Sequence, residues 1–580
     1  MFRRLLLSSL AALLCTLAPG YSASPLVTIE LSSLGRAAED AATIARLFDV
    51  DVSADDLQKT IAKLFSQDES LASPLDLDRP ARIEVYEVPD EDEPIAAVFI
   101  VPISDLPALT SLLDETWVRD EHVEGLQSYI RNTEKFGMTI PETWYVRTSD
   151  AYLILSENLV AAQSASIDLP DAPDALPSLR FEASLKKLGD LFRQAMIEQA
   201  ASMREMFADM PEDMEMDTSF IDSMETQGNM VGDILGNIQA FRLHLDLQGT
   251  DLHLSSHLAA NPGSTAAEIM NALAPVHHRL LRLIPPTSWM GSISGLHLTD
   301  SLIEAYLKFI ETMLNMGPEV PGQEKAIQQA RKSIELYRGH LDSGYATWIQ
   351  GGSSLDSMGL IQAYRLSDPD TFSPNMIDFL TSYIKASDEP EADEASSPEL
   401  SHRIYRDLKI YALPDELFAS GDPNILRAVN TARKNFPFLT AEMAVVGDLL
   451  ISSLGSQAVM DDAINRTLDV PEESFIHHPA LARHTGGLPP ESVELSALQP
   501  AAILLALAEA FPSLPPELTQ GLTTQQGTIS GTSTRTGLVL DSTLQIDLQG
   551  LGNIATRVKN HLGDALGSIL GSFLGDEDTP

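Results

Sequence analysis

The chain has 580 residues, too many for one ordinary hydrophobic core, so two or more domains are expected. Apolar residues make up 44% and charged residues 21%, which excludes a wholly disordered, collagenous or membrane-bundle chain. Acids outnumber bases 83 to 38, for a net charge of −45, and this excludes a general nucleic-acid binder and electrostatic docking on anionic lipid.

The first 23 residues read as a secretory signal. Arg3 and Arg4 give the positive start, Leu5 to Ala18 form an apolar run too short to span a bilayer, and Pro19-Gly20 and the small residues Ser22, Ala23 and Ser24 follow. The only cysteine, Cys15, lies inside that run behind Leu14, where a lipoprotein signal would want a small residue. Once the signal is removed no cysteine is left, which excludes a disulfide scaffold, a thiol nucleophile and a cysteine metal site. Periplasmic or secreted is the expected location. The mature chain then has 36 bases against 83 acids, an acidity read first as solubility.

A first half is expected over 24–280. Strand-like alternation begins at Thr28. Asp49, Asp51, Ser53 and Asp55 resemble the opening of a calcium loop, but Ala54 stands where that loop needs glycine and Thr60 where it needs an acid. The better reading is a helix capped by Ser53, with Asp55 and Asp56 at the positive end of the dipole and Leu57, Ile61 and Leu64 as its apolar stripe. Asp90 to Glu93 reads as a charged hairpin tip. A strand from Ile95 ends in Ser104-Asp105, a helix-capping pair, and Asp150 sits between two apolar runs as in a hairpin turn. Ser184-Leu-Lys-Lys187 satisfies S-x-x-K, but S-D-N and K-T-G are absent.

Between Met196 and Met230 lie eight of the chain's 18 methionines, interleaved with acids. Thioether sulfur selects Cu(I), so Met210, Met214 and Met216 are the candidate metal ligands. A pliable apolar surface is a second reading. The plain one is a helix over 184–208 burying Met196, Met203 and Met206, then an acidic connector. No histidine completes a metal site within the cluster, and no bound cofactor is expected.

A second half is expected over 281–565, with an acidic, Pro/Ser-rich insertion at 387–399. The pairs His277-His278 and His477-His478 cannot chelate from adjacent positions and read as structural. The chain's end, 566–580, comprises a helix end and an acidic tail. Gly563, Gly567, Gly571 and Gly575 recur every four residues and form a smooth stripe, a possible interaction face for a partner helix, a membrane surface or the chain's own core.

The two halves repeat one order of elements. Leu252-His-Leu-Ser-Ser-His-Leu258 matches Leu538-Val-Leu-Asp-Ser-Thr-Leu544, with Gly249 and Gly537 upstream. The stretches from Thr28, Ile95, Trp144 and Leu179 match those from Ser292, Gly359, Ala441 and Val493. Strands feed hairpins more often than lone crossovers. The expected fold is therefore α+β, with two similar halves, each a largely antiparallel sheet with helices packed on one face. In the cadence of WYVRTSDAYLILSENLVAAQSA and DLHLSSHLAANPGSTAAEIMNAL, and in this order, the chain resembles large exported bacterial proteins built from two similar α+β halves. That resemblance implies no activity and no functional residues.

No catalytic motif is visible, so the reading leans away from an enzyme. The expected function is an exported, non-enzymatic binding or scaffold protein of the bacterial envelope. The first alternative is a periplasmic carrier of lipid or another apolar ligand, and the second a hydrolase whose site is assembled from distant residues. The partner is an unidentified protein or an apolar small molecule, and a monomer is expected, with no transmembrane helix after signal removal.

Overall fold

In the computed structural model the described residues are 24–48, 50–66, 74–88, 95–123, 126–135, 138–149, 151–169, 177–208, 225, 228–229, 231–233, 235–297, 299–300, 303–304, 331, 337, 340–351, 357–387, 400–413, 439–483, 491–510 and 514–574. The fold is α+β, with extensive antiparallel sheet and helices. The chain divides into two compact units, residues 1–267 with 538–541, and residues 268–537 with 542–580.

The first unit contains β1 (Val27–Leu31), β2 (Ala81–Glu87), β3 (Ile95–Pro102), β4 (Val118–Val123), β5 (Leu126–Lys135), β6 (Met138–Thr148), β7 (Tyr152–Ser156), β8 (Leu179–Ala183), β9 (Ile238–Gln248) and β10 (Asp251–Ala260). Every pairing is antiparallel, in the spatial order β4-β5-β6-β7-β3-β2-β1-β8-β9-β10. Glycine at φ +67°, Gly249, makes the tight turn between β9 and β10.

The second unit contains β11 (Met290–Ser294), β12 (Leu341–Gln350), β13 (Gly359–Leu366), β14 (His402–Tyr405), β15 (Leu408–Ala412), β16 (Thr440–Val446), β17 (Leu449–Gly455), β18 (Ser492–Leu498), β19 (Ile529–Thr536) and β20 (Val539–Asp547), whose residues from Ser542 on belong here. Its order is β14-β15-β16-β17-β13-β12-β11-β18-β19-β20. Arg406 and Asp407, both at positive φ, form the two-residue turn between β14 and β15.

Local chemistry sets the helix starts. Ser53 Oγ accepts from the Asp56 amide at 3.1 Å and opens helix Ala54–Ser66. Asp105 accepts from the Ala108 amide at 2.9 Å at the start of helix Leu106–Thr116, and Asp368 from the Thr371 amide at 3.1 Å at the start of helix Pro369–Ser387. The S-x-x-K serine, Ser184, immediately precedes helix Leu185–Ala208 and accepts the Leu188 amide through its carbonyl at 3.1 Å.

The helices are not confined to one face. In the first unit Leu34, Leu109 and Leu113, from helices Leu34–Leu47 and Leu106–Thr116, join Val101, Leu153 and Leu155 in one cluster. The short helix Leu159–Ser164 lies across the sheet from them, with Ala161 against Val98, Ile100 and Ile154. In the second unit Phe372 and Met376 meet Leu366 and Leu450, while Val459, Met460 and Ile464 of helix Gln457–Asp469 meet Ile361, Ala363 and Ile451. β3, β7, β13 and β17 are apolar at both odd and even positions, so both faces of those strands need cover.

Candidate functional site

β1 lies between β2 and β8, and its alternate residues Thr28 and Glu30 share one face of the sheet. The cross-strand register sets two charged rows there. One runs Arg82, Glu30, Arg180, His244 across β2, β1, β8 and β9, and the next runs Glu84, Thr28, Glu182, Arg242. Opposite charges face one another across three strand pairs, the arrangement that stabilises neighbouring strands.

Two carboxylates of these rows, Glu30 and Glu84, are only 5% and 4% exposed. Burial on that scale demands partners. Arg82 Nε donates to Glu30 Oε1 at 2.8 Å and its Nη1 to Glu84 Oε1 at 3.2 Å, while Nη2 donates to the Asp168 carbonyl at 2.9 Å. Tyr86 donates its hydroxyl to Glu84 Oε2 at 2.7 Å. Arg180 bridges Glu30 Oε2 at 3.2 Å and Glu182 Oε2 at 3.0 Å, and Arg242 reaches Glu182 Oε1 at 2.9 Å. Beyond His244, Asp246 takes Arg36 at 2.7 Å.

The electrostatics follow from these contacts. Burial raises the Glu182 pKa, but the hydrogen bonds and charges of Arg242 and Arg180 outweigh it and leave the carboxyl below its ordinary value. Burial, with Arg180 and Arg242 adding to it, lowers the His244 imidazole. Its Nε2 is buried with no hydrogen-bond partner among the described residues. Burial and the Glu84 carboxylate push the Tyr86 phenol well up, so Tyr86 is a fixed donor.

Above these rows is a pocket of about 560 Å³. Thr28, Glu30, Glu84 and Glu182 line it with Arg82 and Arg180, and Ser24 to Leu26 also border it. The charges are locked to one another, so the lining presents a fixed polar pattern, suited to orienting a polar molecule.

Around β11 the second unit is built differently. Gly291 and Ile293 face Trp348 and Ala346 on β12, and Ala497 and Leu495 on β18. Apart from Gly291 these residues are core, with Trp348, Ala346 and Ile293 fully buried. The buried ring of Phe475 sits on Gly291, where an added Cβ would lie 2.5 Å from Cε2. Burial lowers the pKa of His478, which meets that ring edge-on. Its Nδ1 accepts the Ala480 amide at 3.2 Å, so Nε2 carries the proton and donates to the Ser288 carbonyl at 3.0 Å.

Met210, Met214 and Met216 lie outside the described residues, as do residues 1–23, Asp90 to Glu93, Asp150, 388–399, Gly575 and the acidic tail. Gly563, Gly567 and Gly571 lie on helix Leu548–Leu574. His277 accepts the Arg279 amide, and its ring lies tilted against that of His278, with centroids 4.5 Å apart. No group of His, Cys, Asp or Glu among the described residues is arranged to hold a metal, and no helix among them is long and apolar enough to cross a membrane. The charged rows escaped sequence reasoning. Their trace was Arg82-x-Glu84 in one strand and Arg180-x-Glu182 in another, alternate positions of opposite charge where an ordinary outer face would carry unrelated polar residues. Comparison with family models, with curated proteins and with solved structures finds no match to the chain.

Proposed function

We propose that the chain is an exported, non-enzymatic binding protein made of two copies of one α+β unit, and that the first copy carries the ligand site. The two strand orders support the duplication, since they correspond one for one from β4 and β14 to β10 and β20. A pair of backbone bonds in each unit supports its register. Leu26 donates to Val85 at 2.7 Å and accepts from Ser184 at 2.9 Å, while Trp289 donates to Ile349 at 3.0 Å and accepts from Gln499 at 2.7 Å. In this register Thr28 corresponds to Gly291, Glu84 to Trp348, Glu182 to Ala497, and Arg82, Glu30 and Arg180 to Ala346, Ile293 and Leu495. The resemblance to exported bacterial proteins of two similar halves agrees with this reading, as does the signal-like start at Arg3 to Ala18.

One observation carries the binding role. The space over Gly291 is filled by Phe475, and the space over its counterpart Thr28 is the pocket. The charged lining favours a polar ligand over the lipid-like cargo of the carrier alternative. Native mass spectrometry of the chain purified gently from its own source tests this. A small-molecule excess over the denatured mass is expected, and Thr28→Trp, which fills the pocket, should remove it. A bare mass that persists when the same lysate's small molecules are added back would refute the binding role.

A further inference from the structure

We propose, resting on the reading that this pocket binds a small molecule, that its ligand is an organic cation whose ammonium or guanidinium group sits over Thr28, between Glu84 and Glu182. The charged rows form a checkerboard with one square missing. In the row of Glu30 the order across β2, β1 and β8 is base, acid, base. In the row of Thr28 it is acid, hydroxyl, acid. A positive charge over Thr28 would complete the alternation, and the register places no basic side chain there.

The partners of the two flanking acids pull away from that square. Glu84 is held along its own strand by Arg82 and Tyr86, and Glu182 by Arg180 and, on the far side from Thr28, by Arg242. Each carboxylate oxygen accepts more than one hydrogen bond, so both acids keep capacity for a donor from the pocket. Two strand spacings put the Glu84 and Glu182 backbones roughly 10 Å apart with Thr28 between them, a span that the two carboxylate side chains and one N–H-bearing group can bridge. The lining itself holds three carboxylates against two guanidiniums, and the third base of the network, Arg242, reaches Glu182 from outside the lining. In the second unit the corresponding square holds a phenyl ring over glycine, and the flanking acids are replaced by Trp348 and Ala497. The carboxylates and the open space are thus present together in one unit and absent together in the other.

Isothermal titration of the full chain at low salt tests the inference, with cadaverine and agmatine as cations, 1,5-pentanediol as the neutral control and glutarate as the anion. The two cations should bind and the controls should not. Thr28→Lys supplies the missing charge from the protein itself, so it should keep the melting temperature at or above that of the natural chain while weakening both cations about tenfold or more. Glu182→Gln, which keeps the shape, should weaken them about fivefold or more. Binding of pentanediol or glutarate in preference, blocked by Thr28→Trp, would overturn the cation assignment and leave the pocket a binding site. Cation binding unchanged in both Thr28→Lys and Glu182→Gln would overturn the placement over Thr28. No heat with any probe and a lowered melting temperature in Thr28→Lys would overturn both.

Discussion

The contact between Phe475 and Gly291 can be tested by removing each side of it. Phe475 is fully buried among Leu280, Ile284, Trp348 and Leu481, and its ring meets His478 edge-on at 5.4 Å. Phe475→Ala loses the transfer energy of the ring and leaves a cavity, at a cost of about 3–5 kcal/mol. The second unit has roughly 300 residues, so its melting entropy is about 0.6 kcal/mol/K and the melting temperature should fall by about 5–8 °C. Gly291→Ala alone brings a Cβ to 2.5 Å from the ring and should cost about 1–3 kcal/mol. In the Phe475→Ala background that clash is gone, and the methyl fills part of the cavity. The double variant should then be no less stable than Phe475→Ala. Differential scanning calorimetry of the four chains gives the cycle, with urea unfolding followed by tryptophan fluorescence as the cross-check. Costs that simply add would place the ring elsewhere and remove the contrast with Thr28.

Burial lowers the His478 pKa, so below its ordinary value of about 6.5 the unfolded chain takes up a proton that the folded chain does not. Stability should be full above that pH and fall as pH drops below it, and His478→Gln should flatten part of the fall in urea midpoints measured from pH 7 to pH 5; His244 and His277, also lowered, add to the fall. Arg403 donates both ends of its fork to Glu442 at 2.7 Å and also holds Asp461 at 2.7 Å, and Glu442 is 4% exposed. Arg403→Met should cost about 3 kcal/mol by leaving that carboxylate unpaired, and adding Glu442→Met should recover much of it in chemical denaturation. Asn158 accepts from two amides, Val160 at 2.9 Å and Ala161 at 3.1 Å, so Asn158→Ala should cost about 1 kcal/mol of first-unit stability by calorimetry.

Helix starts were legible because each is a local event. Ser53 and Asp105 are capping residues directly ahead of an apolar stripe, and each accepts the amide three residues on. Hairpins were legible for the same reason, through Gly249 and Gly537, both at positive φ. The placement of helices was not. It depends on which strands are apolar on both faces, and short apolar runs such as Tyr152–Ser156 fit a one-sided or two-sided strand equally well. The pocket was less legible still, because its acids and bases come from segments near residues 30, 83 and 181. Pattern matching also set Thr28 beside Ser292 and Leu179 beside Val493. In the proposed duplication, the backbone bonds that set Leu26 with Trp289 set them beside Gly291 and Glu494. A slip of one residue exchanges the faces of a strand, so the replacement of charge by core could not be seen.

The position of β1 has a consequence for how the chain reaches this structure. Val27 pairs with Ala183, and Met290 with Leu498, so each unit joins its earliest strand to one made more than 150 residues later. By contrast, β5, β6 and β7 follow one another closely in sequence and pair in that order, as do β16 and β17. Such meanders can assemble while the rest is still being synthesised. The central strands wait for distant partners, and this raises contact order and slows the last step of folding. Until β8 arrives, one edge of β1 stays open, and Glu30 and Arg82 stand on that unfinished sheet without Arg180. Their charges discourage pairing with the wrong chain during the wait. The same side chains that shape the pocket in the finished unit would then act earlier as guards against aggregation.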